Sequence, residues 1–185
     1  AVNNRFAPQG PSLRIQALYG TRPYDGPESM VLADFGKQEE FQVTKAAENV
    51  TCRLTASTER VKAGDVSGCY VAQSNRAERR GAWTCVTKEF SPPVDIRKFG
   101  ALGVWIHGDG KGELLNFRLT NLLPYWGSGQ GCSEHYVAVD FIGWRYFELL
   151  LRERDAGRHG DYAWPYSPMY GIPREGLRRE RVTQL

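Results

Sequence analysis

The chain has 185 residues, a formal net charge of +3, 41% hydrophobic and 24% charged residues. Such a composition describes an ordinary globular chain and excludes a disordered or low-complexity one, and the length fits one domain with an extension. No apolar run approaches the roughly 20 residues that cross a bilayer, so no membrane span is expected, and acidic residues interspersed among the arginines argue against a nucleic-acid partner. Residues 1–27 are rich in Pro, Gly and Asn and read as an N-terminal extension or linker. AVNNRFAPQG lacks a charged n-region and an apolar h-region, so it reads as a mature or trimmed start rather than a signal peptide. Residues 28–185 read as the domain. It opens with strand-like Met30-Val31-Leu32 and Phe35. Period-two alternation then marks half-buried strands at Glu40–Thr44, Val50–Thr55, Gly68–Ala72 and Ala82–Val86.

The densest pattern follows. Ala101–His107 is a strand, Gly108-Asp109-Gly110-Lys111-Gly112 a turn, and Glu113–Leu119 the returning strand of a predicted hairpin. Leu102, Val104 and Ile106 share the core face, and Gly103, Trp105 and His107 the other. Asn116 and Arg118 lie on the non-core side of the second strand, and Leu115, Phe117 and Leu119 on the core side. Trp105 and Trp144 are nevertheless expected to be buried. Asn121 to His135 reads as a loop. Tyr136–Phe141 is a strand, Gly143-Trp144 a break, and Arg145–Leu151 its continuation. Glu180–Leu185 opens a last strand, whose free edge would invite a partner chain or self-association to complete the sheet. No long helical periodicity appears, so the fold class is all-β, an antiparallel β-sandwich.

Four cysteines, Cys52, Cys69, Cys85 and Cys132, form no CxxC pair. Their even number and strand positions allow disulfides in any of three pairings. With the sequon Asn49-Val50-Thr51 they point to a secreted or periplasmic protein. The arginines crowd the end of the chain, at Arg152, Arg154, Arg158, Arg174, Arg178, Arg179 and Arg181. They form either a solvated, salt-bridged surface or a patch attracting an acidic glycan.

Asp95 to Leu119, with its LGVWIHGDG strand and NFRL return, and Tyr136 to Leu149, YVAVDFIGWRYFEL, resemble the jelly-roll carbohydrate-binding modules of the galactose-binding-like superfamily. Met30 to Val43, with Asp34-Phe35, adds a shorter match. The family's closing strand, Cys132 and the Arg-rich tail are where the chain departs from the pattern. The resemblance implies a two-sheet jelly roll, sugar recognition and a structural calcium, with Asp34 and Asp140 as its ligands.

Sugar binding needs flat apolar faces for pyranose rings and planar polar groups for hydroxyls. Tyr125, Trp126, Tyr162, Trp164 and Tyr166 form the loop cluster that fits, with packing beneath long loops as their competing use. His107, Asn116 and Arg118 supply polar contacts. GxSxG, HExxH and P-loop patterns are absent, and Glu113, Asp140, Glu148 and Asp161 define no catalytic pair. The function expected is therefore non-catalytic recognition of a polysaccharide. A self-packing structural protein is the alternative, and a polysaccharide lyase or glycoside hydrolase the enzymatic variant.

Overall fold

The structure is a computed structural model and describes residues 29–37, 40–77, 81–121, 131–151 and 177–185. The described residues are all-β, without helix. In chain order the strands are β1 Gln42–Ala46, β2 Val50–Ser57, β3 Ser67–Ser74, β4 Thr84–Thr87, β5 Glu89–Val94, β6 Ala101–Asp109, β7 Glu113–Thr120, β8 Cys132–Val139, β9 Ile142–Leu150 and β10 Val182–Gln184. Four antiparallel sheets result. Their orders are β5-β10-β7-β8, β6-β9, β2-β3 and β1-β4.

The strand from Ala101 and the strand from Glu113 both form, but they do not pair with each other. β6 pairs with β9 along its whole length, Ala101 opposite Leu150 through Asp109 opposite Ile142. β7 pairs with β8, Glu113 opposite Val139 through Thr120 opposite Cys132. The Asp-Gly turn is thus an arch between two layers, not a hairpin loop. Gly110 and Gly112 take φ values of 79° and 84°, which side chains other than glycine rarely adopt. The Asp109 carboxylate accepts the Lys111 N–H at 3.1 Å, and the Gly112 N–H donates to the Val139 carbonyl at 2.9 Å. Asp140-Phe141 makes the second arch beside it, so the break predicted at Gly143-Trp144 falls three residues earlier. Gly143, with φ 87°, lies inside β9 opposite Gly108. The predicted loop before Tyr136 ends sooner than expected, because Cys132 to His135 already belong to β8.

The core lies between these layers. Ile106 and Leu149 from β6 and β9 meet Val137 and Val139 of β8 and Phe141 of the arch, with Val104, Leu115, Phe117 and Phe147 packed around them. A second cluster joins Ile96, Leu119, Leu151, Leu177 and Val182. Leu102 touches both, which makes the two clusters one continuous apolar interior.

β10 is not an open edge. It lies between β5 and β7, Val182 opposite Val94 and Gln184 opposite Thr120. Lys88 and Leu185 exchange both backbone hydrogen bonds, at 2.8 and 3.0 Å. Both flanks of this strand are therefore occupied, and the expected docking of a partner chain there loses its template. β5 takes the outer position, as its Pro92 and Pro93 require, since neither has an N–H to offer a second neighbour. Asn121, 2% exposed, seats the approach to β10: its side chain donates to the carbonyls of Arg178 and Arg181 and accepts the Arg178 N–H at 2.6 Å. Arg179 is half-buried and its guanidinium donates to the carbonyls of Ile96 and Phe99. This member of the Arg-rich tail is a structural donor to backbone, not a solvated surface charge. Arg152, Arg154, Arg158 and Arg174 lie outside the described residues.

Residues 29–37 form no strand, so the strand-like reading of Met30 to Phe35 does not hold. The segment is fastened by charge instead. Lys88 pairs with Glu40 and donates to the Leu32 carbonyl at 2.7 Å, while the Glu40 carboxylate also accepts the Phe35 N–H at 2.8 Å. Cys52, Cys69 and Cys85 carry free thiols, so none of these three makes the expected disulfide. The register gives the reason for two of them. Cys52 lies opposite Ala72, with Leu54 and Tyr70 on its face, whereas Cys69 lies opposite Thr55 on the other face of the β2–β3 pair. Cys132 is buried at the start of β8.

Candidate functional site

The outer face of β6–β9 brings together Trp105, His107, Trp144 and Tyr146. Alternation fixes its members: Ala101, Gly103, Trp105, His107 and Asp109 on β6, and Ile142, Trp144, Tyr146, Glu148 and Leu150 on β9. Trp105 is directly opposite Tyr146, with ring centroids 5.4 Å apart and planes at 55°. His107 is directly opposite Trp144, edge-on at 5.2 Å. All four are half-buried, so the aromatic strip faces away from the core and yet packs against itself. Ile142 and Leu150 continue it at the two ends, 83% and 50% exposed.

Gly103 explains why Tyr146 lies low. A Cβ at that position would overlap the Tyr146 hydroxyl and come within 3.1 Å of its Cζ. The ring leans along the strand and covers the bare glycine backbone, an arrangement in which an aromatic shields glycine from water while keeping one face outward. A flat aromatic surface with an exposed face is what an apolar ring face stacks on.

The connection between β2 and β3 reaches over this face. Lys62 sets its ammonium 4.8 Å from the centre of the Trp105 ring. The base of that connection is fastened by the Ser67 hydroxyl, which donates to the Arg60 carbonyl at 2.6 Å. Glu148 adds a carboxylate one pair along from Trp105, opposite Gly103. At the other end the Lys111 backbone N–H holds the Asp109 carboxyl below its ordinary range.

The residues expected to bind sugar do not all meet here. His107 belongs to the strip. Asn116 and Arg118 also face away from the core, but from β7, in the other layer, so they look outward on the opposite side. There Asn116 donates to Glu134 at 3.2 Å and to the Tyr136 hydroxyl at 3.1 Å, and Arg118 lies 3.8 Å from Glu134. Tyr125, Trp126, Tyr162, Trp164 and Tyr166 lie outside the described residues. Asp34 and Asp140 are exposed, in the segment before β1 and in the second arch. Asp34 already accepts the Gly36 N–H at 3.0 Å. Among the described residues no group of three or more His, Cys, Asp or Glu is placed to hold a metal ion.

Trp105 and Trp144 are the members that are not among the expected sugar-binding residues, and Tyr146 is expected only for a lyase groove with His107. Both tryptophans were expected to be buried, and both are half-buried. Their parity with His107 was the usable signal, because residues two apart on a strand share a face.

The likeness to galactose-binding-like modules rests on the motif residues alone. No family model, curated protein or solved structure matches the chain.

Proposed function

We propose that this chain is a non-catalytic carbohydrate-binding module, a β-sandwich of jelly-roll type, whose outer β6–β9 face receives a polysaccharide. The observation that carries the reading is the cross-strand aromatic strip of Trp105, Tyr146, His107 and Trp144 on a face that the core does not use. Pyranose rings present flat C–H faces that stack on aromatic faces, while hydroxyls take up nearby polar groups, here Glu148, His107 and Lys62. An open strip along two strands suits an extended chain better than a small molecule, which would need a concave site.

Affinity electrophoresis in gels loaded with neutral or acidic polysaccharides tests the proposal. The chain is retarded by at least one polymer, and Trp105→Ala or Trp144→Ala weakens that retardation about tenfold, ~1.4 kcal/mol of binding free energy. If no polysaccharide retards the folded chain, the reading fails. The self-packing alternative drew on a free last strand, and β10 has neighbours on both flanks.

A further inference from the structure

We propose that Lys62 is a specificity-determining residue, and that it makes the aromatic strip prefer sugars carrying an anionic substituent. This rests on the polysaccharide reading above.

The Lys62 ammonium stands over the Trp105 ring at 4.8 Å, on the face a sugar would use. It has no carboxylate within ion-pair distance among the described residues. The ring quadrupole therefore steadies an otherwise uncompensated charge. A sugar that stacks on Trp105 must move this ammonium aside. A neutral sugar returns it to water and forfeits its contact with the ring. A sugar with a carboxylate or sulfate beside the stacked face gives the same ammonium a charge-assisted hydrogen bond in exchange. The anionic ligand thus recovers what the neutral one loses.

The other charges on this face restrict where the anion can lie. Glu148, opposite Gly103, repels it from that end. Asp109, at the far end, is paired with Lys111 at 3.2 Å. His107 stands between Trp105 and Asp109 on the same strand face. The position left for an anion is above Trp105, toward the β2–β3 connection that carries Lys62. The fastening of that connection by Ser67 keeps the lysine on station before ligand arrives.

The test uses the full chain in affinity gels containing a polyuronate, its carboxyl-reduced neutral counterpart, or a sulfated polymer of similar length. The wild-type chain is held about fivefold more tightly by at least one anionic polymer than by the neutral one, and added salt narrows the gap. The carboxylate and sulfate gels identify which anion is preferred. Lys62→Met brings the anionic-to-neutral ratio close to one, while its retardation by the neutral polymer stays level or rises. An unchanged ratio in Lys62→Met, or a wild-type preference for the neutral polymer, overturns the role of Lys62. Retardation that responds to Trp105→Ala but not to Lys62→Met sinks this inference and leaves the carbohydrate reading standing. Absence of retardation by all three polymers sinks both.

Discussion

Two glycines on β6 have opposite tolerances. A Cβ at Gly103 would meet the free end of Tyr146, which can swing away. A Cβ at Gly108 would meet the Phe141 backbone carbonyl, held in place by the second arch. Gly108→Ala is therefore expected to cost about 1–3 kcal/mol, as overpacking does, and Gly103→Ala no more than about 0.5 kcal/mol. Urea midpoints measure both, and equal losses would contradict the geometry. Gly103→Ala should instead alter the near-ultraviolet circular dichroism of the Trp105–Tyr146 pair. Asp95 offers a titration at the same scale. Hydrogen bonds from the Arg97 guanidinium, then from its backbone N–H, hold the Asp95 carboxyl down to about 2. A depressed carboxyl contributes above its unfolded value, near 3.9, and the contribution fades as pH falls toward the folded value. Carbon-detected NMR should find the Asp95 midpoint at about 2, rising toward the ordinary range in Arg97→Gln. Such single-residue effects were partly legible: parity placed His107 and Trp105 outward, while the burial expected of Trp105 is only half met, because its ring packs on Tyr146 and not in the core.

Among the elements, the alternating strands were readable because each local face pattern is set by its own residues. Their pairing was not. A strand, an Asp-Gly turn and a second strand describe a hairpin and an arch equally well, and only the partners decide. β6 takes β9 because Leu102, Val104 and Ile106 must face the layer that carries Leu115 and Phe117, which an in-plane hairpin would forbid. β5 went unseen because Pro92 and Pro93 mask it as a strand, and an edge position is what admits them. The tie between the segment before β1 and the β4–β5 link was equally hidden, since Glu40 and Lys88 are 48 positions apart. Glu40 is 7% exposed and Lys88 20%. Lys88→Met would leave a buried carboxylate without its cation and is expected to cost about 3–5 kcal/mol, with much of it recovered in Glu40→Gln/Lys88→Met. Thermal unfolding of the single and double variants measures this, and a single-variant loss below about 1 kcal/mol would show the pair to be solvated.

For the molecule as a whole, burial is uneven. The two core clusters, linked through Leu102, bind β5, β6, β7, β8, β9 and β10 together. All five residues of β1 are exposed, as are the last six of β3. The β1–β4 and β2–β3 pairs should accordingly open more readily than the rest. Hydrogen exchange is expected to run at least about tenfold faster in β1 and β3 than in β7 and β9. Uniform protection across the ten described strands would refute a graded structure. The binding face proposed above belongs to the firm part, through β6 and β9, whereas Lys62 belongs to the looser part. Platform and selector can therefore differ in mobility while acting on one ligand.

The placement of β10 has a kinetic consequence. Its Gln184 joins Thr120 across 64 positions and Glu89 across 95. Until those ends meet, β5 and β7 lack the strand that separates them, and Val182 cannot enter the interior. Chain closure over such spans is paid before its contacts form, and it slows folding relative to local pairing. The β2–β3 pair, local in sequence, is expected to zip early, and the four-stranded sheet to complete itself late. Val182→Ala should therefore speed unfolding more than it slows refolding in stopped-flow traces. The last few residues act as the latch on a door whose other parts are already hung.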